Sequence, residues 1–264
     1  MKPDHFLASH SLFTREELRA ALAGRNPATL DAHLARWRQQ GRIVRVKNGL
    51  YLRRGPEGAG AHLAAPDFIA LAARMAPDAA AAYHTALEAH GCAQSLFEQL
   101  TFVTWTRTKP VTFMGRRLAP VRPRAPLNER DGGEAWIETM DRAGLEVRIT
   151  SLERTAADVL DRPSLAGGIG EVWRSLFALP AIDPEALLDY VRALCNRTVA
   201  ARVGFFLEKR RDELAVPTSV LEELRALLPN HPVHLDRALG GRLNSRWRLI
   251  VPEELVNAHE EGAA

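Results

Sequence analysis

His84 and Glu88 stand four residues apart in a stretch of helical spacing, so both fall on one helix face, where an imidazole and a carboxylate could share a proton or begin a metal site. No third ligand follows at a telling distance, and HExxH does not occur, so the pair reads as a helix-surface or capping feature. Gly167-Gly168-Ile169-Gly170 has the glycine content of a phosphate loop. It lacks the GxxxxGK[ST] residues and falls between helices rather than after a strand, which argues against nucleotide binding of that type. Nuclease chemistry would want carboxylates near a lysine on a strand. Lys209 is the only lysine beyond Lys109, and Glu208-Lys209 lies in a helical pattern. There is no GxSxG elbow and no glycine-rich dinucleotide turn. Cys92 and Cys195, the only cysteines, are far apart without a CxxC partner, which supports neither a disulfide framework nor a thiolate zinc site. The expectation is a protein with no catalytic site, no metal and no cofactor.

Charge is more informative than any of these motifs. The formal net charge of +3 conceals a strong division along the chain. Residues 1–58 carry 11 Lys and Arg against 5 Asp and Glu, and residues 101–130 carry 7 against 1, a net of +6 in each. Residues 59–100 carry a net of −3, and residues 131–264 a net of −6. Segregated positive charge is the footprint of a phosphate-binding surface. Codon bias accounts for Arg over Lys (only four lysines occur) but not for the avoidance of acids in two particular segments. The 264 residues are 46% hydrophobic and 25% charged, an ordinary globular composition in which two domains fit comfortably. No apolar run reaches the ~18 residues of a membrane span, and Met1-Lys2-Pro3-Asp4-His5 does not lead into a secretion signal, so the expected location is cytoplasmic.

The first basic segment is carried by recognisable elements. Thr14 with Glu17 forms a capping box, followed by a short helix with Leu18, Ala21 and Leu22 on its apolar face and Gly24 at its end. Asn26 suits an N-cap and Pro27 the first position of a second helix that runs to about Gln40, with Gly41 as its stop. At about 100° per residue, Leu30, Leu34 and Trp37 share the core side of that helix. Its outer side then holds Ala28, Thr29, Ala32, Ala35, Arg36 and Gln39. Small residues let a helix sit deep in a major groove while Thr29, Arg36 and Gln39 supply hydrogen bonds. Alanines on a solvated helix face are equally well explained by helix propensity alone. The next residues tip the balance: Arg42 to Val46 reads as a strand, Lys47-Asn48-Gly49 as a hairpin turn, and Leu50 to Arg53 as the returning strand. A hairpin directly after a helix-turn-helix is a wing, here basic through Arg42, Arg45, Lys47, Arg53 and Arg54. The expected DNA contacts are Asn26, Thr29, Arg36 and Gln39 from the helix, and Arg45, Lys47 and Asn48 from the wing. The Gly- and Pro-rich stretch Gly55-Pro56-Glu57-Gly58 marks the domain boundary.

The expected fold class is therefore α+β: a winged helix-turn-helix over residues 1–56, a larger mixed α/β domain over 61–256, and a loose tail over 257–264. In the larger domain, residues 66–91 read as helical, including the run Ala79 to Ala82. Leu100 to Trp105, Val111 to Phe113 and Leu118 to Val121 read as strands. They bring together a second basic patch: Arg107, Lys109, Arg116, Arg117, Arg122 and Arg124. Such a surface could follow phosphates, or it could only protect a strand edge. Glu146 to Thr150 reads as a strand that enters a helix at Ser151, with Leu152, Ala156, Val159 and Leu160 buried. Helices follow over 170–177, 183–194, 198–211 and 219–228, and a last strand at 247–251.

The chain resembles the AbiEi antitoxins of type IV toxin–antitoxin systems. The likeness is carried by the segment from Gly41 to Leu52, by Tyr83 to Gly91 and Thr150 to Asp158, by the turn from Arg162-Pro163 to Gly167-Gly168, and by Arg202 to Glu208. It implies a winged helix that binds inverted repeats in its own promoter and represses its operon. It also implies an antitoxin domain of positive surface charge, and a nucleotidyltransferase-like toxin that is countered without a stable direct complex. Three alternatives remain open from the sequence: an orphan winged-helix regulator, an enzyme that processes nucleic acid, and an interaction module whose basic surface meets an acidic protein.

Overall fold

The computed structural model describes residues 2–22, 27–55, 66–128, 133–142 and 144–257. The N-terminal module contains α1 (Pro3–Ser9), β1 (Leu12–Thr14), α2 (Arg15–Ala21), α3 (Pro27–Gln39), β2 (Ile43–Lys47) and β3 (Leu50–Arg53), with a sheet ordered β1-β3-β2. The expected capping box is present: the Thr14 hydroxyl accepts from the Glu17 backbone, and the Glu17 carboxylate accepts from Thr14 N at 2.7 Å. Gly41, at φ +69, follows α3 in the left-handed region that ends a helix. The expected end of α2 at Gly24 and the N-cap Asn26 lie outside the described residues. Leu30, Leu34 and Trp37 are buried as their angular spacing requires. The elements α1 and β1 are too short for periodicity to reveal. They are held by Phe6 and Phe13, which join Leu18, Trp37 and Tyr51 in one core.

This module is not separate from the rest of the chain. Leu12, Val46, Leu50 and Leu52 of its sheet share an apolar layer with α4 (Phe68–Ala73), Met75 and Ala76. Arg74 also pairs with Glu17, the residue that completes the α2 capping box. The expected boundary at residues 55–58 falls largely outside the described residues.

The second domain is built on a six-stranded sheet, ordered β6-β7-β5-β4-β9-β8. Its strands are β4 (Ala80–Ala81), β5 (Gln99–Val103), β6 (Val111–Phe113), β7 (Arg116–Val121), β8 (Ile137–Arg142) and β9 (Leu145–Thr150). The helical reading of residues 66–91 is corrected here. Only α4 and α5 (His84–Ala89) are helices, and Ala80–Ala81 is a central strand, antiparallel to β5 and parallel to β9. All four residues from Ala79 to Ala82 are fully buried, and small side chains suit a strand covered on both faces. Tertiary pairing thus overrides the helix propensity of alanine. Side chains alternate accordingly. Ala79, Ala81, Leu100, Phe102, Val147 and Ile149 face α4 and the winged helix, whereas Ala80, Ala82 and Val103 face the helical layer.

That layer holds α6 (Leu152–Asp161), α7 (Ile169–Phe177), α8 (Pro184–Leu194), α9 (Arg197–Lys209) and α10 (Thr218–Ala226), each close to its expected range. A small sheet of β10 (Val233–His234), β11 (Arg242–Asn244) and β12 (Leu249–Val251) packs against it through Leu249 and Val251. β8, β10 and β11 carry too few apolar residues to read as strands. A short helix, α11 (Glu253–Asn257), precedes the expected tail, and residues 258–264 lie outside the described residues. α6 is buried on every side from Arg154 to Leu160, well beyond the expected stripe. Arg154 donates to Gly133 O at 2.7 Å and to Asp158 at 3.3 Å, and Tyr190 Oη donates to the same carboxylate at 2.7 Å. Burial pushes the carboxyl of Asp158 and the phenol of Tyr190 upward.

Candidate nucleic-acid interface

Thr29, Arg36 and Gln39 all lie exposed on α3, interleaved with exposed Ala28, Ala32 and Ala35 and opposite the buried stripe. The outward placement expected from 100° spacing is therefore what the helix adopts. The single acid on this stretch, Asp31, is held in a two-bond pair by Arg15 of α2 at 3.0 and 2.8 Å. This pair fixes α2 against α3 and offsets a negative charge beside the face. Arg36 contacts His33 Nδ1 at 2.9 Å, one turn back on the same helix.

The wing divides its cations by direction. Arg45 and Asn48 are exposed. Of the two turn residues, only Gly49 has a positive φ, at +80°, so Asn48 keeps an ordinary backbone. Arg42 and Arg53 turn inward to α1: Arg42 pairs with Asp4 at 2.7 Å, and Arg53 donates to the carbonyls of Leu7 and Ala8. A hydrogen bond from the Arg42 guanidinium holds the Asp4 carboxyl below its ordinary range.

Lys47 departs from its expected place at the phosphate-facing tip. Its ammonium donates to Met75 O of the second domain at 2.5 Å, and burial lowers its pKa. The wing packs one face on the second domain through Val46 and Leu50, and a shift of pairing register between Arg45 and Lys47 breaks the strand's alternation and lets the lysine reach the same side.

Two residues beyond the expected set complete the surface. A cleft of about 710 Å³ between the end of α3 and β2 is lined by Arg38, Gln39, Arg45 and Arg54, with Ala35 and Val44 as its floor. Arg38 and Arg54 are exposed, and among the described residues neither they nor Arg45 has an ion pair. Three guanidinium groups around one groove suit bidentate contact with phosphate oxygens. The signal available in the sequence was position: Arg38 lies in the last turn of the helix and Arg54 just beyond the returning strand.

The second basic patch splits in the same way. Arg116 donates to Phe97 O and stacks 4.8 Å above the Phe68 ring, Arg122 donates to Trp105 O at 3.1 Å, and Arg124 pairs with Asp161 at 2.7 Å. Arg107, Lys109 and Arg117 remain exposed. Arg117 sits opposite Gln99 on β5 and Thr112 on β6, both exposed, which makes one polar row across three strands.

The surface role expected of His84 is corrected. His84 is 2% exposed. Its Nδ1 lies 3.1 Å from Glu88, its Nε2 lies 3.6 Å from Glu171, and the Phe97 ring stands edge-on at 4.0 Å. Glu171 also accepts from Gln94 N at 3.1 Å and Ser95 Oγ at 2.6 Å, so the cluster ties α5 and α7 to residues 94–95. Among the described residues, no group of three or more His, Cys, Asp and Glu is arranged to hold a metal. Nor is any helix among them long and apolar enough to cross a membrane.

The element order helix, strand, helix, helix, strand, strand, with an exposed third helix and a basic wing, defines a winged-helix module fused to an α+β domain. Residues 1–54 match the family model described as transcriptional regulator, AbiEi antitoxin. The crystal structure of the RV2827C protein from Mycobacterium tuberculosis is similar throughout, at a TM-score of 0.65 and 14% identity over 99% of this chain and 93% of that one. That likeness shows a common fold. No curated protein matches the chain.

Proposed function

We propose that this protein is a DNA-binding transcriptional autorepressor and the antitoxin of a type IV toxin–antitoxin system, acting in the cytoplasm without catalytic activity of its own. The observation that carries the reading is the single surface formed by the alanine-rich face of α3 and the Arg38–Arg45–Arg54 groove. The small face admits the helix to a major groove, where Thr29, Arg36 and Gln39 meet base edges; Asn26, expected to join them, lies outside the described residues. The three guanidinium groups and Asn48 meet the adjoining backbone. Lys47 acts here as an anchor between the domains rather than as a DNA contact. The match of residues 1–54 to an antitoxin regulator family supports the choice of promoter DNA as target and of a nucleotidyltransferase-like toxin, countered without a stable complex, as counterpart.

Titration of the full-length protein against its own upstream DNA and a scrambled fragment, at two salt concentrations, tests this. A preference for the native fragment that persists at the higher salt, with protection over inverted repeats, is the expected result. Equal binding that disappears with salt would remove the autorepressor. Co-expression with the neighbouring gene tests the second half: growth must be rescued by the full-length chain and by a variant defective in DNA binding.

A further inference from the structure

We propose that the open cleft between the end of α6, the start of α7 and the turn after β10 binds a small molecule through a phosphate monoester. The cleft has a volume of about 670 Å³, within the ~300–1,000 Å³ typical of small-molecule sites. Arg162, Arg202 and Arg237 line it together with Ser164 and Gly168.

Its charge is predominantly positive: Asp161 is paired from outside the lining by Arg124, which leaves Asp236 against three guanidinium groups. Asp161 accepts from Arg124 at 2.7 Å and from Asn196 at 3.1 Å, with Arg162 at 3.5 Å. Asp236 accepts from Ala238 N at 2.8 Å. Arg202, by contrast, is held only by neutral acceptors: His234 O at 3.2 and 2.7 Å, Leu160 O at 2.5 Å and Asp161 O at 3.3 Å. Burial lowers its pKa and outweighs the opposing pull of the Asp161 and Asp236 carboxylates. Arg237 is exposed and has no ion pair among the described residues.

A second feature adds to the positive field. α7 begins at Ile169 with Gly168 as N-cap and no side-chain cap where Gly168 lines the cleft, and the acid of its first turn, Glu171, is engaged by Ser95, Gln94 N and Arg174. Gly168 has φ +89, and a Cβ there would meet nothing within 4 Å, so the backbone is open to approach. The glycine run lacks a phosphate-loop sequence, yet its tertiary neighbours supply the guanidinium groups that loop would lack. This inference concerns a different face from the DNA surface and does not depend on it.

Calorimetric titration of the full-length protein with inorganic phosphate, adenosine monophosphate and adenosine provides the test. Phosphate and the nucleotide are expected to bind, and adenosine is not. Tighter binding of the nucleotide identifies a nucleotide site; equal affinity identifies phosphate itself. The Arg162→Gln/Arg237→Gln double variant should keep its unliganded melting temperature and upstream-DNA affinity while losing about tenfold or more for both ligands. Absence of heat with either phosphorylated probe at millimolar concentration would overturn the proposal. So would equal binding of adenosine, or undiminished affinity in the double variant.

Discussion

Residues 1–58 and 101–130 carry the same net charge of +6, yet the two segments use arginine differently. In the winged helix, Arg36, Arg38, Arg45 and Arg54 are exposed on one surface, while Arg42 and Arg53 brace α1. In the second segment, Arg116, Arg122 and Arg124 are tied to carbonyls or a carboxylate, and only Arg107, Lys109 and Arg117 stand clear. The remainder of the second domain carries inward use further. Arg154 caps Gly133 O, and Arg210 donates to Leu176 O at 3.0 Å and Leu179 O at 2.8 Å where α7 ends. Helix ends and irregular turns leave carbonyls without partners, and a long side chain with five donors satisfies them from a distance. The helix ends and turns of the second domain therefore draw particular arginines inward, Arg154, Arg202 and Arg210, whereas the three-helix module leaves Arg36, Arg38, Arg45 and Arg54 outside.

The largest effect that sharpens this contrast is expected at Arg154. Arg154→Ala strands a buried carboxylate at Asp158 and should cost about 3–5 kcal/mol in urea denaturation, with no specific effect on DNA contacts. A loss below ~1 kcal/mol would mean that the inward arginines are not structural. Next, the Arg38→Ala/Arg45→Ala/Arg54→Ala triple variant should reduce the slope of log affinity for DNA against log salt by about three, at ~0.9 per phosphate contact, with little change in stability. An unchanged slope would break the outward half of the comparison.

A smaller, pH-dependent effect is expected where the second segment begins. Burial pushes the Asp78 carboxyl up, but hydrogen bonds from Thr104 Oγ1 at 2.6 Å, Trp105 N at 2.9 Å and Thr106 N at 3.0 Å prevail and leave it below its ordinary value. Its contribution to stability is therefore complete above the ordinary value of 3.8 and is lost as pH falls through the lower, folded value. Asp78→Asn should lower stability at neutral pH by about 1–3 kcal/mol and flatten the acid limb of the stability profile. A parallel acid limb in the variant would contradict the sign. The smallest effect on DNA is expected at Lys47. Lys47→Ala should leave the salt slope within measurement of the parent while Arg45→Ala lowers it by about one, and the reverse ranking would return Lys47 to the phosphate-facing tip.

How much of this was legible beforehand depended on the range of the interactions involved. The Thr14–Glu17 capping box, the Leu30–Leu34–Trp37 stripe and the hairpin around Gly49 are local, involving residues within a turn or two of each other. The reading from spacing and the structure agree on them. The amphipathic helices α7 to α10 were legible for the same reason. Ala80–Ala81 was not, because its strand identity comes from β5 and β9, whose residues lie far along the chain and whose pairing no local propensity encodes. The burial of His84 likewise depends on Glu171 and Phe97, which approach only after α7 packs against α5.

By itself, then, the order of residues determined the helices and wing of the first module, the amphipathic helices α7 to α10, which face of α3 is apolar, and where positive charge is concentrated. Each follows from backbone periodicity and charge counting. Tertiary structure alone decided which of those charges reach solvent. Lys47 and Arg45 lie two residues apart on one strand and would share a face of a regular ladder, yet one donates to Met75 O and the other is exposed, because the pairing register shifts between them. A side chain's type sets what it can bind; the nearest unsatisfied acceptor in the folded chain sets what it does bind.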